Sequence, residues 1–125
     1  MEGKMTVIGR TKLCKAHAGE GTLPKIAYMV FGSGGTDQAD QPIPVTGEET
    51  ALYAELMRKP INSKEFVLPT TCRYFAHLDK PDLAGQYISE QGLIDEEGDL
   101  IIFNTFLKKG KDANAEMTFA MDEIF

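Results

Sequence analysis

Four residues of the types that hold zinc or act as nucleophile and base occur in the sequence: Cys14, His17, Cys72 and His77. A structural zinc site uses four such ligands, usually in closely spaced pairs. Cys72 and His77 are five residues apart in a predicted strand, so their side chains should point to opposite faces. Neither pair has the usual metal-ligand spacing, and nothing close in sequence would orient a Cys–His nucleophilic pair. We predict neither a zinc site nor catalysis at these residues.

A glycine-rich segment, residues 32–35, follows a predicted strand, where a phosphate-binding loop would lie. No helix follows at once, Asp37 stands where the dinucleotide-binding pattern needs its third glycine, and no Gly-Lys-Ser/Thr occurs. We predict a glycine-rich exit from a buried strand.

The acidic run at residues 95–99 superficially resembles a calcium loop. An EF-hand loop has Gly at its sixth position and Glu at its twelfth, whereas counting from Asp95 places Gly98 fourth and Phe106 twelfth. A solvated hairpin turn is the better interpretation. The basic run at residues 108–111 is too short for a nucleic-acid patch, and we predict a solvated loop there. The sequence therefore predicts no catalytic, cofactor-binding or metal-ligating residue, no cofactor and no enzyme activity.

Two helices are predicted. The first covers residues 6–18, with Thr6 as N-cap and Gly19 as the terminating glycine. The second covers residues 50–59, where Leu52 and Leu56 share one helical face and Pro60 ends the helix.

The rest of the chain favours strands joined by turns. Residues 23–31 are apolar at both alternations, which predicts an interior strand covered on both faces. Residues 36–47 are polar with two prolines and predict a surface loop. Further strands are predicted at residues 66–68, 71–78, 87–94 and 100–107 and around residues 117–121. We expect one α+β domain over residues 1–125, with two helices packed on a mainly antiparallel sheet of about five strands.

Composition limits the function classes. The 125 residues include 13 Lys and Arg and 19 Asp and Glu, for a net charge of −6, which disfavours nucleic acid as a partner. Residues 1–25 carry five basic and two acidic residues, and residues 81–125 carry three basic and ten acidic ones. Such a division would suit head-to-tail contact between copies. No apolar run is long enough to cross a membrane and no signal peptide is seen, so we expect synthesis in a reducing cytoplasm.

Four stretches resemble the N-terminal domain of phage tail-collar fibre proteins, in the form found on prophages of Gram-positive anaerobic bacteria. They are GRTKLCKAHAG at residues 9–19, KIAYMVFGSGG at 25–35, LYAELMRKPI at 52–61 and ISEQGLIDEEGDLI at 88–101. The last is the most specific, and the set spans nearly the whole chain in the family's order.

The sequence departs from the family's pattern at two positions, and one of the motifs gives a structural expectation. Ser33 stands where the family more often has an acidic residue, and Gln91 where it often has an apolar one. In the hairpin that contains this stretch, Ser89 and Glu90 would face solvent.

The resemblance implies a structural role in a phage or prophage tail. The family's domain attaches a fibre to the tail or baseplate, so the expected partners are tail and baseplate proteins and copies of the chain itself, with a trimer expected. The expected location is the virion tail, after synthesis in the host cytoplasm. Since no shaft or receptor-binding tip follows, recognition of the host surface is not expected. Two alternatives stay open: a cytosolic ligand-binding or regulatory module, and a small hydrolase using acidic residues such as Asp95 and Glu97.

Overall fold

The computed structural model describes residues 3–125 and places them in two antiparallel sheets and one helix. The elements in chain order are β1 (Lys4–Met5), α1 (Val7–His17), β2 (Ile26–Gly32), β3 (Glu55–Pro60), β4 (Ser63–Leu68), β5 (Thr71–Leu78), β6 (Tyr87–Asp95), β7 (Leu100–Gly110) and β8 (Met117–Ile124). The larger sheet has the strand order β1-β7-β6-β2-β3, and the smaller sheet has the order β4-β5-β8. The chain passes from the larger sheet to the smaller between β3 and β4.

The predicted fold class is wrong. Strands account for 48% of the structure and helix for 9%, in one helix, so the molecule is mostly β with two sheets and not two helices on one sheet. The predicted second helix, residues 50–59, is replaced by extended chain that leads into β3. β2 is apolar on both alternations and needs a hydrogen-bonded neighbour on each side, and residues 55–60 supply one of them. This tertiary pairing overrides the helical spacing of Leu52 and Leu56.

α1 agrees with the sequence. Thr6 is its N-cap, and its Oγ1 accepts a hydrogen bond from the Gly9 N–H at 3.1 Å. Gly19 has a φ of +80°, the left-handed conformation that favours glycine after a helix. The same Thr6 hydroxyl donates to the carbonyl of Leu100 at 2.6 Å, which joins the start of the helix to β7.

The main core lies between the two sheets. Met29, Phe31 and Leu93 of the larger sheet meet Ala76 and Phe119 of the smaller one. The Phe31 and Phe119 rings lie 4.9 Å apart between centroids, so the two sheets are in direct aromatic contact.

A second core lies on the opposite face of the larger sheet. Val30, Ile94 and Phe103 are buried there beneath Val45 and Leu52. Both covering residues belong to residues 33–54, a segment whose polar part was predicted to be a surface loop. The segment closes over the sheet, which explains why both alternations of β2 are apolar.

Candidate functional site

A groove of about 710 Å³ opens at one end of the sandwich. Its volume lies in the range of small-ligand pockets. α1, the start of β2 and the inner face of the smaller sheet form its walls. Among the apolar residues that line it are Met5, Leu13, Leu23, Ile26, Ile61 and Phe125.

The inner face of β5 explains where the groove lies. Cys72, Tyr74, Ala76 and Leu78 alternate toward the interior, and Ala76 and Leu78 are completely covered. Tyr74 is only half-buried and forms part of the groove wall. The groove is thus the part of the inter-sheet space that core side chains do not fill.

Two polar side chains meet inside this groove. The Tyr74 hydroxyl donates to Oε1 of Glu123, on the neighbouring strand β8, at 3.4 Å. Burial raises the pKa of Glu123, although the hydrogen bond from Tyr74 partly opposes this effect. Burial, followed by the nearby Glu123 charge, also raises the pKa of Tyr74. Among the described residues no Lys, Arg or His forms an ion pair with Glu123. The groove therefore contains a carboxyl group without an ion-pair partner, in a lining that also includes Lys25 and Lys64.

The acidic turn beside the groove holds an internal cation. The Lys12 ammonium lies 2.6 Å from Asp95 Oδ2, 2.8 Å from Glu97 Oε1 and 2.7 Å from Asp99 Oδ2. Burial alone would lower the pKa of Lys12, but hydrogen bonds to these three carboxylates together raise it. Lys12 thus occupies the space between the carboxylates where a calcium ion would have to bind, and Asp95 and Glu97 are engaged in ion pairs. This geometry gives the hydrolase alternative no support.

The same contact bears on the uneven charge distribution. Lys12 belongs to the basic part of the chain and the turn at residues 95–99 to the acidic part. Because they meet within one molecule, the division of charge does not by itself require contact between copies.

The four Cys and His residues do not form one cluster. Cys14 is exposed on α1, and Cys72 is buried on the inner face of β5. His77 lies on the outer face of β5, opposite to Cys72 as predicted, and its Nδ1 is 2.9 Å from the Thr118 hydroxyl. His77 is instead close to Asp79 and Glu116, a grouping that the sequence analysis missed. Only the pairing of β5 with β8 could have revealed it.

The glycine-rich segment contacts an anion that belongs to the chain itself. The Gly34 N–H donates to Oε2 of Glu90 at 2.8 Å. A Cβ atom at Gly32 would lie 2.5 Å from Oε2 of Glu90, and one at Gly34 would lie 2.5 Å from Cβ of Tyr53. The glycines therefore allow close packing around a buried carboxylate, which occupies the place expected of a phosphate in a binding loop.

The basic run at residues 108–111 is partly internal. Lys111 is 2% exposed, and its ammonium donates to the backbone carbonyls of Asp79, Lys80 and Asp112. Lys108 lies over the Tyr87 ring, 4.8 Å from its centroid. Lys111 fixes the connection after β5, so a uniformly solvated loop is the wrong interpretation for that residue.

Four large apolar side chains are exposed together at one end of the smaller sheet: Phe66, Leu68, Ile124 and Phe125, which we call the apolar tip. Their exposed fractions are 69%, 60%, 46% and 58%. Thr71, at the start of β5, pairs with Leu68 on one side and Ile124 on the other, and the Phe125 N–H donates to the carbonyl of Thr70 at 2.9 Å. The four residues therefore lie at the same end of the three strands.

No helix among residues 3–125 has the length and apolar character to span a bilayer. No protein-family model matches the chain, and no curated protein matches it either. The resemblance to the tail-collar family stays a prediction from the quoted motifs.

Proposed function

We propose that this chain is a structural component of a phage or prophage tail, an attachment module that associates with copies of itself and with a tail or baseplate neighbour. The observation that carries the proposal is the apolar tip. Isolated exposed apolar residues are common on monomers, but four large exposed apolar side chains at one end of a small sheet favour an interaction surface. We propose a phage tail rather than another kind of assembly because the quoted sequence motifs resemble the tail-collar family.

The position of the tip favours association through strand edges. β4 and β8 are the two edge strands of the smaller sheet, and each ends at the tip. An edge strand has backbone N–H and C=O groups free to pair with a strand of another chain. Pairing of β4 in one copy with β8 in the next would extend the sheet and bring Leu68 of one copy beside Ile124 of the next. We expect the closed assembly to be a trimer.

Light scattering coupled to size-exclusion chromatography over a range of protein concentrations tests self-association. Leu68→Asp should shift the population toward monomer, because a charge would have to be buried at the interface. Leu107→Asp is the matched control, since Leu107 is equally exposed at 60% but lies on β7 of the larger sheet. A wild-type protein that stays monomeric at the highest concentration, or equal effects of the two variants, would contradict association through the tip.

The tail location requires a separate experiment. Particles induced from a lysogen that encodes this chain should bind gold-labelled antibodies against it at the tail, and the chain should co-purify with tail proteins. Labelling that is absent from intact particles, with the protein in the soluble lysate alone, would contradict a structural role in the virion.

A ligand-binding module is the second candidate function, and the groove favours it. Glu123 is a carboxyl group of the groove without an ion-pair partner, and several lining residues are apolar, so a cation on an apolar body would pair with it. In NMR titrations, a long-chain alkylamine should therefore shift the resonances of groove residues more than the alkyl carboxylate of equal length. Glu123→Gln should remove this preference. Equal responses to both amphiphiles would contradict a built ligand site.

A further inference from the structure

The far end of the smaller sheet brings a histidine and two carboxylates together across two strands. In the antiparallel pair β5 and β8, His77 is opposite Thr118 and Leu78 is opposite Met117. His77 and Thr118 lie on the outer face of the sheet. Asp79 directly follows β5 and Glu116 directly precedes β8, so both carboxylates lie at this end of the strand pair.

The distances match those between ligands that share one metal ion. Nε2 of His77 is 3.7 Å from Oδ1 of Asp79 and 3.5 Å from Oε1 of Glu116, and the three atoms lie within 4.8 Å of one another. These separations are long for hydrogen bonds. Two ligands at about 2.1 Å from a tetrahedral zinc ion are themselves about 3.4 Å apart.

The histidine ring is oriented for binding. Its Nδ1 lies 2.9 Å from the Thr118 hydroxyl, and its backbone N–H donates to Oδ1 of Asn62 at 2.7 Å. When Nδ1 carries the proton and donates to Thr118, Nε2 presents its lone pair to the space between the two carboxylates. A hydrogen bond at the second ring nitrogen is the usual support of a metal-ligating histidine.

The local charges favour a cation. The carboxylates of Asp79 and Glu116 lie within 4.8 Å of each other and therefore repel. Lys59 lies 3.7 Å from Oδ2 of Asp79, but its closer partner is Asp82 at 2.8 Å. Among the described residues Glu116 has ion-pair geometry with His77 alone. Lys59 thus partly compensates the charge of Asp79, but no ammonium or guanidinium group among the described residues pairs with Glu116.

We propose that His77, Asp79 and Glu116 bind a divalent transition-metal ion such as Zn²⁺, with water completing the coordination. One imidazole and two carboxylates suit Zn²⁺, Co²⁺ or Mn²⁺ better than Ca²⁺ or Mg²⁺, which prefer oxygen ligands alone. The ion would join the end of β5 to the start of β8, at the opposite end of the smaller sheet from the apolar tip. The site does not depend on the proposed tail function.

Isothermal titration calorimetry of the full chain with Zn²⁺ near neutral pH tests the site. We expect one ion per chain, bound in the micromolar range. His77→Ala should weaken binding by about 10- to 100-fold or more, and Thr118→Val, which removes the support of the ring, by about tenfold. His17→Ala, which removes the other histidine of the sequence, is the matched control and should bind as the wild type does.

Circular dichroism should show that each variant is folded. If His77→Ala does not fold, Glu116→Gln is a second variant that removes one of the proposed metal ligands. Co²⁺ gives an independent readout, because the proposed ligands predict a visible spectrum without a thiolate charge-transfer band. No Zn²⁺ binding at millimolar concentration would overturn the site. A thiolate band, or loss of binding in His17→Ala but not in His77→Ala, would do the same and place the ion near Cys14.

Discussion

The Ala54 N–H donates to Oε2 of Glu90 at 2.7 Å, although the two residues are 36 positions apart in the chain. The same carboxylate accepts hydrogen bonds from the N–H groups of Tyr53 and Gly34, both at 2.8 Å. Gly34 lies at the start of the segment that covers the larger sheet, residues 33–54, and residues 53–54 end it. One completely buried side chain thus holds both ends of a 22-residue segment against the sheet.

Replacing this carboxylate should loosen the covering segment. Glu90→Gln keeps the side-chain shape but exchanges one acceptor oxygen for an NH₂ group, so the three N–H donors cannot all be satisfied. We expect a loss of about 2 to 3 kcal/mol in the free energy of unfolding. Urea denaturation measures this loss, and hydrogen exchange should accelerate at Gly34 and Tyr53. Glu48→Gln, an exposed change in the same segment, is the control. Equal stability of the two variants would show that the carboxylate is not the anchor.

Ser89 and Glu90 also show a limit of sequence analysis. The alternation in residues 87–94 indicates a strand, but the expectation that these two residues face solvent is wrong, since they are 2% and 0% exposed. Period-two alternation identifies which residues share a face. It does not show whether a distant segment covers that face. Residues 36–47 are polar enough to predict a surface loop, and only the tertiary fold reveals that the segment containing them closes a second core.

Features of the fold that depend on residues close in sequence were predicted better than features that depend on contacts between distant residues. The Thr6 cap, the Gly19 stop and the turn at Gly98, whose φ is +91°, all depend on residues close in sequence and agree with the structure. The prediction of a second helix was wrong because residues 55–60 pair with β2 as a strand. The candidate sites were missed for the same reason. Tyr74 with Glu123, and His77 with Glu116, come together only when β5 pairs with β8, which no local pattern specifies.

Gly92, in the most specific of the quoted motifs, is required by close packing within the larger sheet. A Cβ atom there would lie 2.5 Å from Cδ1 of Leu100 and 2.9 Å from the carbonyl oxygen of Ile102. Gly92→Ala should therefore destabilise the protein by about 1 to 3 kcal/mol, because the neighbouring strand must shift. Thermal or urea unfolding measures the effect. Gly110→Ala is the control, since its nearest contact would be an ordinary 3.5 Å to the Tyr87 ring. A Gly92→Ala protein as stable as Gly110→Ala would contradict the packing argument.

Lys12 should stabilise the fold by pairing with three carboxylates of the hairpin turn. Lys12→Met would leave the Asp95 carboxylate, 1% exposed, without its cation, and we expect a loss of about 1 to 3 kcal/mol. Because the folded-state pKa of Lys12 is raised above its ordinary value of 10.5, the contribution is complete below about pH 10.5 and is lost as the pH rises through the folded-state pKa.

Urea denaturation from neutral to strongly alkaline pH checks both the size and the pH dependence of the Lys12 effect. Lys15→Met, at an exposed position of the same helix, controls for the loss of a positive charge from α1. A deficit in Lys12→Met no larger than that in Lys15→Met would rule out a stabilising role for the ion-pair cluster.

Glu123 should lower the stability of the fold at neutral pH. Burial raises its pKa above the ordinary value of 4.5, so the folded protein holds the proton to a higher pH than the unfolded chain does. Below about pH 4.5 the side chain is neutral in both states; above it the unfolded chain ionises first, and stability is lost until the pH passes the folded-state pKa. Glu123→Gln, neutral at every pH, should therefore match the wild type in acid and become more stable than it as the pH approaches neutrality. Denaturant midpoints across this range measure the difference, with the exposed change Glu20→Gln as the control. A stability difference that does not grow with pH would show that the groove does not oppose ionisation of Glu123.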